Sequence, residues 1–588
     1  MTVRPWIRCV SLLAVGLAVA GVPGLSLAED PAGRLLDRVP AGASMALVIE
    51  ELPEQIERIS ASPLARGVMA LGPVQAWFES DEGATMRRAR RDVEAAMGVS
   101  MTQFVEGLLG DAVVLSLHLP ADEPPDAARG LLQTVVTDRD LLERFIGVAN
   151  GAELASGKLR GVEDRAYRGI AYSVRTFRDG RPEESYAVLD DDTFVWTNRE
   201  QLLRAVIDRE AGGAMPRSTA PSALDRVRDH LPDRAMVSMF IDPEFVARLI
   251  RANPDDASLD GLPEPVAQAF SAVESLGVAL EWREGPVVHL VEVLDADRLP
   301  DPVRSWASRS GGGSELMARI PDAAMLAVAG QVDGPALHDL VIASVPGEDQ
   351  GRVGTVLELF RGLLLGRDLR EEILPAMGPG VVGWIHPPKA DQAIRHAPAV
   401  LVASIADPDA AGAVENALRT VLAFVSLDED RKPPMRMEDQ WREGVRISGL
   451  IAGDEGGSPR FAFAVARGLI VLGTDFDAVA SALADGSAGG SDRRPTSALA
   501  ARDRLFPEAS TFAYLDLAAL HRIALERRDD LEAFMMARAG QDQEDAPTRE
   551  DLELLFELLP LFRGVYATSS ISTDATIAHQ RIGLIVAE

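Results

Sequence analysis

Read as a pattern of apolar and polar positions, the chain breaks into short strands and amphipathic helices, and one combination of the two occurs twice. In SYAVLDDDTFVWTNREQLLRAVIDREAGG, Ser185 to Gly213, the apolar run Phe194-Val195-Trp196 follows the turn Asp190-Asp191-Asp192. β-Branched and aromatic residues between turn signals predict a buried strand. Asn198-Arg199-Glu200-Gln201 then reads as a capping box. Leu202, Leu203, Val206 and Ile207 share one helical face until Gly212-Gly213 stops the helix. The segment RFAFAVARGLIVLGTDFDAVASALADGSAGG, Arg460 to Gly490, carries the same device. It has a turn at Ala466-Arg467-Gly468, a strand at Ile470-Val471-Leu472 and a weaker cap at Thr474-Asp475-Phe476-Asp477. Its helical face is Ala478, Val479, Ala482 and Leu483, and its stop is Gly486.

Around the first copy, periodicity predicts strands over 44–50, 111–119 and 131–137, a mostly helical stretch over 62–108 and a helix over 138–149. A strand from Tyr167 to Phe177 pairs with Ser185 to Leu189 around Arg178-Asp179-Gly180. A strand at 235–241, helices near 243–252 and 264–275, and a hairpin of 277–282 with 286–294 close the half.

The second half repeats this order. Gly378 to Pro388 (GPGVVGWIHPP) answers Gly110 to Pro120 (GDAVVLSLHLP), and Asp407-Pro408-Asp409 answers Asp138-Arg139-Asp140. Arg319-Ile320-Pro321 answers Arg38-Val39-Pro40, Gly444 answers Gly169, and Thr474 answers Asn198. Tyr514-Leu515-Asp516 answers Phe240-Ile241-Asp242, and Gly564-Val565 answers Gly277-Val278. Ordered matches with modestly drifting offsets are what a duplication with small insertions leaves. The expected fold class is therefore α+β: two tandem homologous domains, each a mainly antiparallel sheet with helices packed on one face. The expected boundaries are a signal peptide over 1–28, a first domain over 29–296, a linker over 297–315 ending in Gly311-Gly312-Gly313-Ser314, and a second domain over 316–588.

Composition narrows the function classes. A chain of 588 residues exceeds a single core. With 59 basic and 90 acidic residues the net charge is −31, which argues against a nucleic-acid partner and against anionic membrane surfaces. Arg4 and Arg8, the apolar run Val10 to Val22 and Ser26-Leu27-Ala28 form a cleavable export signal, shorter than a membrane span. The product is expected in the periplasm or outside the cell, with no transmembrane segment after cleavage. The single cysteine, Cys9, lies in that signal, so the mature chain has no disulfide and no thiolate metal site.

Candidate chemistry is sparse. His118 and His386 occupy the same place in the two halves, each ending a strand two residues before a proline, and are the candidate ligand contacts. The plainer reading, a histidine marking the strand's exit to solvent, is favoured because no second His or carboxylate stands at ligand spacing. His289 and His579 read as surface strand residues. Asp138-x-Asp140 and Asp407-x-Asp409 read as helix caps in preference to metal ligands, and Pro408 supports this. Asp190-Asp191-Asp192, Asp255-Asp256 and Asp428-Glu429-Asp430 lack the glycine and terminal glutamate of a calcium loop and read as solvated turns. There is no Gly-x-Ser-x-Gly elbow, phosphate loop, His-Glu-x-x-His or dinucleotide fingerprint.

The signal peptide, the Ile/Val-Pro-x-x-Ala segment before a strand (Ile320 to Ala324), the strand Gly378 to Pro388 and the hairpin-helix Gly468 to Leu483 together resemble a family of exported bacterial proteins built around a domain of unknown function. The resemblance spans most of the mature chain and implies no catalytic residue. The expected function is a non-catalytic binding or scaffold protein, without cofactor or metal, whose partner is an unknown protein or an apolar ligand. One alternative is a carrier of lipid or a lipoprotein tail, which requires a large unfilled apolar pocket in both halves. Another is a hydrolase, which requires a cleft gathering a His and carboxylates with perturbed pKa, sought at His118 or His386.

Overall fold

Two-residue turns with positive φ at both central residues match the right-handed twist of the strands they join. Arg168-Gly169 (50° and 87°), Glu443-Gly444 (48° and 77°) and Arg467-Gly468 (55° and 74°) are turns of this kind. They organise a computed structural model that describes residues 30–587 apart from 120–126, 211–222, 234, 253–263, 310–314, 346–348, 390–396, 428–434, 453–458, 485–499, 502–503, 506–510 and 530–548. The chain divides into two units. One comprises Met1–Ser258, Val273–Val293 and Ala587–Glu588, the other Leu259–Ala272 and Leu294–Val586. Each is a mixed α+β structure on an antiparallel sheet.

The strands of the first unit are β1 (Met45–Glu50), β2 (Ala112–His118), β3 (Arg129–Val135), β4 (Leu159–Tyr167), β5 (Ile170–Phe177), β6 (Glu184–Val188), β7 (Thr193–Thr197), β8 (Val237–Ile241), β9 (Val273–Trp282) and β10 (Pro286–Leu294). Their order across the sheet is β4-β5-β6-β7-β3-β2-β1-β8-β9-β10. The second unit has β11 (Leu326–Gln331), β12 (Met377–Ile385), β13 (Ala399–Ile405), β14 (Met435–Arg442), β15 (Val445–Ala452), β16 (Pro459–Ala466), β17 (Leu469–Gly473), β18 (Thr511–Asp516), β19 (Phe562–Ile571) and β20 (Ile577–Val586). They run β14-β15-β16-β17-β13-β12-β11-β18-β19-β20. The two orders are the same when read strand for strand.

Register agrees as well. In the first unit Trp196, Leu132, Leu115, Leu47 and Met239 stand opposite one another across five strands. In the second, Leu472, Leu401, Gly383, Val328 and Ala513 do so. These pairs lie at the offsets that the sequence matches on the same strands carry. The β9 and β19 strands depart: Phe240 faces Gly277, whereas Tyr514 faces Tyr566, two residues beyond Gly564.

Helices cover both faces of each sheet, not one as the pattern predicted. Adjacent strand residues point to opposite faces, and on β7 both sides are buried. Val195 packs with Leu203, Val206 and Ile207 of the helix Glu200–Glu210. Phe194 packs with Leu141, Leu142 and Met97, and Phe145, Ile146 and Trp196 lie against that cluster on the side of the helix Arg139–Ala155. The unbroken runs Phe194-Val195-Trp196 and Leu469-Ile470-Val471-Leu472 carry this signal, since a strand with one open face alternates. The second unit matches. Ile470 lies in the cluster of Ala410, Ala413 and Ala417 from the helix Pro408–Ser426, while the helix Phe476–Ala484 buries Val479 and brings it against Gly473.

Several local expectations change. Tyr167 to Phe177 is not one strand, because Arg168-Gly169 splits it and Tyr167 ends β4. Asn198 does not cap the following helix; its Oδ1 accepts the Gly130 N–H at 2.9 Å, and its own N–H donates to the Gly130 carbonyl at 3.3 Å. Thr474 brackets Ala399 in the same way, its Oγ1 accepting at 2.9 Å and its N–H donating at 3.0 Å, and Asp475 supplies the helix cap through Ala478 N–H at 2.7 Å. The stretch 297–315 is not simply a linker. Residues Asp301–Arg309 form a helix whose Trp306 Nε1 donates to the Gln331 carbonyl at 3.1 Å, which ties it to the second unit. The signal peptide, Gly212-Gly213, Gly311 to Ser314, Gly486, Asp255-Asp256 and Asp428-Glu429-Asp430 lie outside the described residues.

Candidate functional site

His118 ends β2 on the helix-covered face and is 6% exposed, so it does not mark an exit to solvent. Its Nε2 lies 3.2 Å from Ser116 Oγ, the residue two before it on the same face. Burial, reinforced by the Arg129 charge opposite it on β3, pulls its pKa down to about 4, so the ring is neutral at pH 7. His386 follows β12, is half-buried, and accepts the indole N–H of Trp384 at Nε2, 3.1 Å away. An indole nitrogen only donates, so that ring nitrogen carries no proton. Each histidine is thus engaged by the side chain two residues earlier. His118 belongs to the first unit and His386 to the second.

The other singled-out residues have structural places. Asp138 Oδ1 accepts Leu141 N–H at 2.9 Å, and Asp407 Oδ1 accepts Asp409 N–H at 2.8 Å, so both cap the helices that follow. Asp191 pairs with Arg38 at 2.9 Å, and Asp192 pairs with Arg139 at 2.7 Å. His289, expected at the surface, is 2% exposed with Nε2 3.0 Å from Glu281 Oε2. Burial raises the Glu281 pKa, but hydrogen bonds from His289 and Arg283 outweigh it and hold the carboxyl below its usual range. His579 is half-buried beside Arg581. Among the described residues no group of three or more His, Cys, Asp or Glu side chains is gathered for a metal ion. No described helix is long and apolar enough to cross a membrane.

What sequence reasoning missed is an open part of the sheet. In the second unit the helix Pro408–Ser426 covers β13 only at its Ile405 end. Beyond it, one row runs Leu401, Gly383, Val328, Ala513, Ala567 and Ile582 across β13, β12, β11, β18, β19 and β20. Leu401, Val328 and Ile582 are 43%, 42% and 59% exposed, whereas Ala327 and Val402, on the opposite face of the same strands, are 0% exposed. The next row, Ala399, Ile385, Leu326, Leu515, Val565 and Leu584, is also apolar. Gly383 forms the floor: a Cβ there would stand 3.2 Å from Val328 Cγ2 and 3.4 Å from Leu401 Cδ1. The corresponding first-unit row, Leu132, Leu115, Leu47, Met239 and Val278, is apolar and half-buried. None of the three rows contains an ionisable side chain, so these surfaces can pack against apolar groups but cannot move a proton. The chain finds no match among protein-family models, curated proteins or solved structures.

Proposed function

We propose that this is an exported, non-catalytic binding or scaffold protein of the periplasm or cell exterior, built from a duplicated α+β domain. The observation that carries the reading is the open apolar row Leu401–Gly383–Val328–Ala513–Ala567–Ile582. Three exposed apolar side chains share this row, with only a glycine floor and two half-buried alanines between them, and apolar surface gathered in this way on a strongly charged chain is the kind that interaction sites present. The shared strand order and registers support the duplication, and the N-terminal signal pattern supports export.

A carrier of lipid or a lipoprotein tail is the second reading, favoured by the purely hydrocarbon lining of that row. Two clefts of about 370 and 270 Å³ lie elsewhere, beside β4–β6 and β14–β15. With Leu401, Val328 and Ile582 43%, 42% and 59% exposed, the row is a surface and not an enclosed chamber, which ranks the protein-docking reading first.

The test is site-specific photo-crosslinking in the producing cell, with the photoreactive residue at Val328, at Leu401 or, as control, at Arg352, which is exposed on a helix. A discrete protein adduct at both sheet positions and none at Arg352 is the expected outcome. Its loss on Ile582→Asp, with the thermal midpoint unchanged, would tie it to the row. Lipid adducts alone would transfer the reading to the carrier, and no adduct at either position would sink both.

A further inference from the structure

The helix Arg139–Ala155 and the helix Pro408–Ser426 begin at the matching caps Asp138 and Asp407, and each lies against its own β-hairpin. In both hairpins an aspartate faces a serine directly across the strands: Asp164 opposite Ser173 on β4–β5, and Asp439 opposite Ser448 on β14–β15. The serine donates to the aspartate at 2.8 Å in the first unit and at 2.7 Å in the second.

In the second unit this pair is occupied by the protein's own guanidinium. Arg419, twelve residues after the cap, reaches from its helix and donates to Asp439 Oδ1 and Oδ2, both at 3.0 Å, and to Ser448 Oγ at 2.7 Å. Burial raises the Asp439 pKa, but hydrogen bonds from Arg419 and Ser448 outweigh it and hold the carboxyl below its usual range. A second arginine, Arg446 on β15, pairs with Glu415 of the same helix. Together they close the space between helix and hairpin, and Ser448 is 2% exposed.

In the first unit both arginines are missing while the aspartate–serine pair remains. Asn150 stands twelve residues after Asp138, where Arg419 stands after Asp407, and Ala171 and Ile146 stand where Arg446 and Glu415 stand. Asn150 Nδ2 is directed to Tyr186 Oη at 3.4 Å and not to Asp164. What results is an open cleft of about 370 Å³, with Asp164, Ser173 and Glu143 as polar lining and Ile146, Tyr186 and Val188 as apolar lining. Among the described residues no arginine or lysine pairs with Asp164 or Glu143.

We propose that the Asp164–Ser173 cleft of the first unit binds a guanidinium group supplied from outside the chain, in the place that Arg419 fills in the second unit. A planar guanidinium donates two parallel hydrogen bonds to a carboxylate, which an ammonium does not reproduce. The apolar wall takes the methylene stem. The group comes either from a free arginine-like small molecule or from an arginine side chain of a polypeptide. The cleft lies in the other unit from the open sheet row and shares no residue with it.

The test is calorimetric titration of the intact protein with Nα-acetyl-arginine N-methylamide, free arginine and Nα-acetyl-lysine N-methylamide. Saturable binding of an arginine probe, with lysine at least about tenfold weaker, is expected. Asp164→Asn weakens it by a similar factor, and Ser173→Ala provides a milder second variant. Asn150→Arg supplies the arginine from the protein's own helix, so it abolishes binding and raises the thermal midpoint. Tighter binding of free arginine assigns a small molecule, and tighter binding of the amide assigns a polypeptide. No binding of either arginine probe, equal binding of lysine, or undiminished binding by a folded Asp164→Asn or Asn150→Arg overturns the proposal.

Discussion

His118 and Glu50 perturb stability in opposite senses as pH changes. His118 has its pKa lowered from 6.5 to about 4 by burial and the Arg129 charge. Between those values the unfolded chain takes up a proton that the folded chain excludes, so stability falls as pH drops from about 6.5 towards 4. Glu50 has its pKa raised from 4.5 to about 7 by burial and by the Asp30 and Glu51 charges, against Arg228. Between these values the folded chain keeps a proton that the unfolded chain releases, so stability falls as pH rises through that window. Thermal midpoints across this range should show His118→Gln removing the loss on acidification and Glu50→Gln removing the loss on alkalinisation. Unchanged profiles in both variants would contradict the burial assigned to these groups. The cleft pair was legible at this scale and went unread: Asp164 and Asp439, like Ser173 and Ser448, stand at the same offset as Gly169 and Gly444. Nothing in either short segment distinguishes such a pair from any exposed Asp and Ser until the strands place them opposite each other.

Among elements, the hairpin-helix is held to its neighbour by Asn198 and Thr474, each bonded to both backbone groups of a residue at the start of the adjacent strand, Gly130 second in β3 and Ala399 first in β13. Removing the side-chain acceptor leaves a strand N–H without its partner, at a cost of about 1–3 kcal/mol. Urea unfolding of Asn198→Ala and Thr474→Ala should show that loss, while Asn198→Asp keeps the acceptor and stays close to wild type. A loss below about 0.5 kcal/mol, the range of ordinary surface changes, would show that the bond contributes nothing. The helix caps were readable because a cap acts within three residues. Asn198 was misread as one because its partner, Gly130, is remote in sequence, and no local pattern records a contact of that kind.

For the whole molecule, charge is the property with the longest reach. A net charge of −31 repels itself in any folded arrangement, and salt screens that repulsion. Raising NaCl from about 0.02 M to about 0.5 M should therefore raise the thermal midpoint, the Debye length shrinking several-fold across that range. A falling midpoint would mean that ion pairs such as Arg38–Asp191 and Arg419–Asp439 outweigh the net repulsion. The sequence by itself determined most of the element order, the repeated hairpin-helix, the α+β class and the antiparallel pairing, because periodicity, turn residues and caps act over a few residues. The matched offsets also anticipated the registers of five strands in each unit. Only the tertiary structure decided that helices cover both sheet faces, that Leu401, Val328 and Ile582 share one exposed row, and that one aspartate–serine pair is filled by Arg419 while its counterpart faces an open cleft. The physical reason is that burial and side-chain encounter depend on which strands become neighbours. That is settled by packing between segments far apart along the chain, and local patterns carry no record of it.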